Sequence, residues 1–259
     1  MDFRKKRIAV SSLPVKAREK KIVISQPMFF PWIGLFEQIR LADVYVYYGD
    51  VQFSKGSFVN RVQIKTAQGI KWLTVPLQGV SLGQSIDQVQ INSSFNWRVH
   101  LDVLRQAYAG APYCEQMVAL VESVYSRPVQ TIGDLSRASI DVCCSYFGLS
   151  ANRRFVDVRD LGIGGARSQR VLDIVKALSG TQYITGLGAR NYLDHQLFEN
   201  AGIRVEYMNY EKAPYLQLHG EFTPFVSILD LIANVGEEGS EYIRSGTIYW
   251  KDYLNNERN

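Results

Sequence analysis

The stretch Lys21–Tyr48, KIVISQPMFFPWIGLFEQIRLADVYVYY, decides how the rest of the chain is read. KIVIS is a short β-branched run, the pattern of a buried strand. IGLFEQIRL places apolar residues at 33, 35, 36, 39 and 41, which is one face of a short helix, and DVYVYY reads as a second strand. A strand, a helix and a strand in that order form a βαβ unit, whose two strands run parallel. Between the first strand and the helix stands QPMFFPWIG, with prolines at 27 and 31. Proline fixes the backbone and Gly34 permits close approach, so this turn is a shaped one.

The alternation returns later. Phe155–Val158 reads as a strand, GIGGARSQR (162–170) as a glycine turn, and Gln169–Leu178 as a helix. Strand Gln182–Thr185, turn GLGARNYLD (186–194), a helix around Tyr192–Asn200 and strand Arg204–Met208 follow, with a late helix over Phe225–Asn234. Between the two runs, Val62–Lys65 and Lys71–Pro76 suggest a hairpin, Leu77–Asn92 is polar and irregular, and Trp97–Tyr108, Cys114–Tyr125 and Val129–Phe147 suggest helices. The expected fold is therefore α/β, a Rossmann-like, mainly parallel sheet with a helical insertion around 97–148. Three parts are expected: a basic arm over 1–20, a first α/β half over 21–150, and a second over 151–259 packed against it.

The 259 residues can bury a sizeable core. With 46% hydrophobic and 21% charged residues the chain is an ordinary globular protein, not a disordered one. A net charge of +4 suits an anionic small ligand and is too small to argue for nucleic acid. No signal-peptide pattern and no bilayer-length apolar run are visible, and Cys114, Cys143 and Cys144 lack metal-site spacing, so a cytoplasmic protein with reduced thiols and no metal is expected. His100, His195 and His219 have no ligand spacing, and the GxSxG and P-loop patterns are missing.

Ligands of open α/β sheets bind beyond the carboxyl ends of the strands. On that basis Gln26 offers an amide, and Phe30 and Trp32 offer aromatic walls, in the first turn. The loop DVQFSKGSFVNRVQIK brings Asp50, Gln52, Lys55, Asn60, Arg61 and Lys65 together. Its cations suit phosphate and its acid suits a general base. In the glycine turn, Arg167 and Ser168 open a helix, a place that favours anions. Each group also has a structural explanation: a rigid aromatic cover, a solvated loop, an ordinary strand–helix connection.

In order along the chain, QPMFFPWIGLFEQI, ADVYVYYGDVQFSKGSFVNRVQIK, WLTVP, INSSFNWR, AYAGAPY, YITGLGARNYLD and FTPFVSILDLIANVG resemble the WbqC-like family, over about residues 21–236. That resemblance implies a cytosolic step in bacterial surface-polysaccharide (O-antigen) biosynthesis. The implied activity is a transferase or ligase joining an amino acid, glycine, to the amine of a nucleotide-linked amino sugar. Asp50 would be the base, and Lys55, Arg61 or Lys65 would hold the pyrophosphate. No cofactor is required by the sequence, although ATP could activate the acyl donor. Where the family has an acid before Asp50, this chain has Gly49. The first turn also resembles that of adenylate-forming nucleotidyltransferases, with Trp32–Leu35 where their HxGH stands and both histidines missing. A non-catalytic binding or scaffold protein of polysaccharide assembly is the alternative from another class.

Overall fold

A computed structural model describes residues 19–256. The chain runs through β1 (Lys21–Ser25), α1 (Ile33–Leu41) and β2 (Val44–Tyr47), then a hairpin of β3 (Arg61–Thr66) and β4 (Gly69–Thr74). A two-residue ladder of β5 (Leu77–Gln78) and β6 (Gln90–Ile91) precedes three helices, α2 (Arg98–Tyr108), α3 (Cys114–Tyr125) and α4 (Ile132–Tyr146). Then come β7 (Arg154–Asp157), α5 (Arg167–Ala177), β8 (Gln182–Thr185), α6 (His195–Asn200), β9 (Arg204–Asn209), α7 (Ile228–Val235), β10 (Gly246–Tyr249) and α8 (Trp250–Asn256).

Six strands form one sheet in the order β10-β9-β8-β1-β2-β7. Five are parallel and β10 runs antiparallel to β9. The fold is α/β with a mixed, mainly parallel sheet. Both sequence halves contribute strands to it, β7 and β8 flanking the β1–β2 pair. Side chains alternate across the pleat and are buried on both sides, as parallel strands require. Val23, Tyr45 and Tyr47 enter one core with α1, α3, α4 and α7. Ile22, Ile24, Val44 and Val46 enter the other with α5 and α6.

Several element boundaries differ from those read in the sequence, for local reasons. The helix expected from Tyr192 begins at His195, because the Asp194 carboxylate accepts from the Leu197 amide at 3.1 Å and fixes the start there. The helix expected from Phe225 begins at Ile228, where the Ser227 hydroxyl accepts from the Leu229 amide. The glycine-turn helix begins earlier than expected, at Arg167. The stretch 77–92 is not wholly irregular: it holds β5, β6 and a 3₁₀ turn over Ile86–Gln88. Beyond the last expected element, β10 extends the sheet and α8 follows it. The basic arm read over 1–20 lies, up to residue 18, outside the described residues. No helix among the described residues is long and apolar enough to cross a membrane.

Candidate functional site

From β1 the chain passes to β2 on one side, while β8 and β9 continue on the other. Connections therefore leave β1 and β8 in opposite directions, and a crevice opens beyond their carboxyl ends. A cleft of about 630 Å³ lies there. The end of β1 and the turn after it contribute Ile24, Ser25, Gln26 and Met28; α1 contributes Gln38. Tyr48 and Val51 line it from beyond β2, and Arg167 and Val171 from α5. Tyr183, Thr185, Gly186, Gly188, Ala189 and Tyr192 complete the wall. Gly186 is needed for its shape: a Cβ there would stand 3.0 Å from Gln38 Nε2.

The Arg167 side chain is exposed at the mouth, and its backbone takes the left-handed φ of 56°. It has no ion-pair partner among the described residues. Ser168 braces this corner, its Oγ accepting from the Asp194 amide at 2.9 Å and lying 3.4 Å from the Tyr192 carbonyl oxygen. Arg170 grips Asp50 with two nitrogens, Nη1 to Oδ1 at 3.0 Å and Nη2 to Oδ2 at 2.5 Å. Its Nε donates to the Ile163 carbonyl, and its guanidinium lies 5.0 Å over the Tyr48 ring. Burial raises the Tyr48 hydroxyl pKa, with Arg170 pulling the other way. The phenol therefore keeps its proton and remains a donor at neutral pH. Burial likewise raises Tyr192.

The sequence-derived candidates are thus dispersed. Gln26 and Arg167 line the cleft; Asp50 and Ser168 do not, and each adjoins in sequence a residue that does. The first turn does not form an aromatic wall of this cleft: Phe29 and Phe30 are buried in the core, and the half-buried Trp32 is not among the lining residues. Phe30 is fully buried, its amide donating to Ser139 Oγ and its carbonyl accepting from Ser227 Oγ. Trp32 covers Gly34 and packs on Tyr210 and Phe225 at 5.7 and 5.9 Å.

Of the basic loop, only Val51 is among the residues lining the cleft. Gln52 bridges to Ser85. Lys55 and Asn60 border a separate hollow of about 230 Å³, where the Asn60 amide donates to the Val75 carbonyl. Arg61 donates to the Gly56 carbonyl and lies 4.2 Å over Trp72. Lys65 is buried, with Nζ donating to Gln217 Oε1 at 3.1 Å and to the Gly220 and Glu221 carbonyls. Gln38, Tyr48, Thr185 and Tyr192 were not singled out from sequence. The signals available were a glutamine in a mostly buried helix, a tyrosine just past a strand, and polar residues flanking GLGARN.

Near this region lies a partly buried ion network. Arg137 Nη2 is 2.7 Å from both Asp87 oxygens, and Nη1 is 2.8 Å from Asp157. Arg159 reaches Asp157 at 2.6 Å. Burial raises the Asp87 carboxyl despite both arginines. At Asp157 burial pushes upward too, but the Arg159 hydrogen bonds and the Arg137 charge outweigh it and hold the group below its ordinary value. Gly49 abuts this network: a Cβ would stand 2.2 Å from Asp87 Oδ1. Among the described residues no group of three His, Cys, Asp or Glu side chains is placed to hold a metal. All three cysteines are buried and unpaired.

An α/β protein with a polar, arginine-edged cleft beyond the parallel strands is the class that this geometry defines. The chain belongs to the WbqC-like protein family, which matches it over residues 26–242. It is similar to Rv1507c of Mycobacterium tuberculosis (strain ATCC 25618 / H37Rv), described as an uncharacterized protein. The two are 33% identical over 228 residues, covering 87% of this chain and 98% of the relative. No solved structure matches the chain.

Proposed function

We propose that this WbqC-like protein is a cytoplasmic enzyme of bacterial surface-polysaccharide (O-antigen) biosynthesis. In this proposal it joins glycine to the amine of a nucleotide-linked amino sugar held in a Rossmann-like crevice. The observation that carries the proposal is the cleft at the ends of β1 and β8, edged by the Arg167 guanidinium, which has no ion-pair partner among the described residues. A guanidinium presents paired N–H donors to a pyrophosphate. The Gln26 and Gln38 amides and the Thr185 hydroxyl can donate and accept, as sugar hydroxyls require. Tyr48 and Tyr192 offer rings to a nucleobase.

In the reaction the sugar nitrogen attacks the acyl carbon of activated glycine. A C–N bond forms, the bond to the leaving group breaks, and the nitrogen gives up a proton. We assign that proton to Asp50, whose neighbours Tyr48 and Val51 line the cleft. Each of its oxygens keeps a lone pair outside the Arg170 fork.

One observation favours the alternative, a ligand-binding protein of the same pathway. None of the residues lining the cleft is an Asp, Glu, His, Cys or Lys. One experiment separates the two: purified protein is incubated with nucleotide-linked amino sugars, glycine and ATP, and products are read by mass spectrometry. A gain of one glycyl group supports the enzyme. Saturable binding without any mass gain supports the binding protein.

A further inference from the structure

A second hollow, of about 420 Å³, shares no lining residue with the cleft. It falls within the roughly 300–1,000 Å³ of small-ligand pockets. Its floor is apolar, from Phe95, Val129 and Leu135. One wall is aromatic: Trp97 stacks on Tyr125 with centroids 5.6 Å apart and planes 13° apart. That wall is held in place from behind. The Tyr125 hydroxyl meets His100 Nδ1 at 2.6 Å, and Phe95 packs edge-on against both rings.

The rim is a set of amides. Gln78 and Gln90 are directly opposed in the β5–β6 ladder, which puts their side chains on one face. Gln130 and Asn92 stand beside them. The Asn92 oxygen is used by Ser94, which leaves its NH₂ free to donate. Among the described residues, the side chains of Gln78, Gln90 and Gln130 have no hydrogen-bond partner. Neither does Arg127, the one charged residue in the lining. Arg98, its guanidinium 4.6 Å over the Trp97 ring, adds positive charge beside it.

We propose that this hollow is a second binding site, for a saccharide that carries a carboxylate. Each class of group has a counterpart in such a ligand. The apolar C–H face of a pyranose packs on the Trp97 ring, displacing the exposed Arg98 guanidinium that lies over it. Its hydroxyls, donor and acceptor at once, match primary amides. Arg127 supplies a fork for the carboxylate. No carboxylate in the lining opposes it; the Asp141 carboxylate, outside the lining, feels its charge and accepts from the Tyr47 hydroxyl. The wall and ladder are ordered by contacts within the protein, so little is left to organise on binding. The site stands independently of what the cleft binds.

The test uses the full chain with a short oligogalacturonide, a neutral galacto-oligosaccharide and inorganic phosphate, read by calorimetry and tryptophan fluorescence. The acidic saccharide is expected to bind saturably and at least about 10-fold more tightly than the neutral one, the scale of a hydrogen bond to a charged group. Arg127→Ala should remove that preference, Gln90→Ala should weaken both saccharides, and Trp97→Phe should abolish the fluorescence change. Arg167→Ala, in the cleft, should change none of this. The proposal is overturned by absence of saturable binding, by equal binding of the two saccharides, or by full competition from phosphate. Loss of binding in Arg167→Ala with none in Arg127→Ala would also overturn it.

Discussion

Acidification should charge an imidazole that the fold keeps neutral. His100, on α2, is 7% exposed and packed among Phe29, Phe95 and Tyr125. Burial lowers its pKa from 6.5 to about 4, although a hydrogen bond with the Thr74 backbone works the other way. A gap of about two and a half units, at about 1.36 kcal/mol each, amounts to roughly 3 kcal/mol. The unfolded chain binds the proton first, so between pH 6.5 and 4 the unfolded state holds more protons than the native one. His100 therefore contributes its full stability above pH 6.5 and loses it progressively as the pH falls towards 4. The limiting slope is about 1.4 kcal/mol per pH unit. Urea unfolding at a series of pH values, for the wild type and for His100→Gln, isolates this proton. Carboxylates titrate in both proteins and cancel in the difference. Wild-type stability should fall more steeply than that of the variant below about pH 6.5. Parallel curves across that window would refute the assignment of a neutral, buried His100.

Three other outcomes are expected. Asp50→Asn leaves Arg170, whose side chain is 9% exposed, without its charge partner. Breaking a buried pair costs about 3–5 kcal/mol; with Asp50 itself 28% exposed, about 2–3 is expected, a melting-point loss of roughly 4–12 °C. If Asp50 is also the base, turnover per folded molecule should drop about 10²–10⁴-fold, and an unchanged melting point would remove the ion pair from the account. Arg167→Ala should weaken nucleotide-sugar binding by about 10–100-fold in calorimetry while altering stability by less than about 0.5 kcal/mol. Gly49→Ala drives a methyl against Asp87 Oδ1 and to within 2.6 Å of Arg137 Nη2, and should cost about 1–3 kcal/mol in a denaturant titration. Gly164→Ala, where a Cβ would meet open space, is the control and should be near neutral.

The β1–α1–β2 unit and the later strand–helix alternation were legible because their apolar periods differ and glycine turns punctuate them. Gln26 and Arg167, chosen because they follow a strand and open a helix, both line the cleft. The basic loop misled for a physical reason. Arg61 and Lys65 look available in sequence, but Arg61 spends its charge on Trp72 and a nearby carbonyl. Lys65 spends its charge on carbonyls at positions 220 and 221, over 150 residues away. Phe30 and Trp32 were read as pocket walls because a turn rich in rings resembles one. A φ of 38° at Phe30, fixed by Ser139 and Ser227, accompanies a ring buried in the core instead. Gln38, Thr185 and Tyr192 meet only because β8 lies beside β1, a pairing that no local pattern announces.

That pairing also sets a timetable. Of the described strands β1 is made first, and its partner on one side, β2, follows at once. The partner on its other side, β8, comes 161 residues later. At about 5–20 residues per second, translation leaves that edge of β1 open for roughly 8–30 s. The turn after β1 waits longer still, since the Ser227 hydroxyl that meets the Phe30 carbonyl lies 197 residues after Phe30. Throughout that interval a row of β-branched residues presents unpaired backbone groups, the kind of edge that recruits other strands. Newly made chains are thus most exposed to aggregation before α5 and β8 emerge, and the cleft cannot exist until the chain has been made as far as Tyr192.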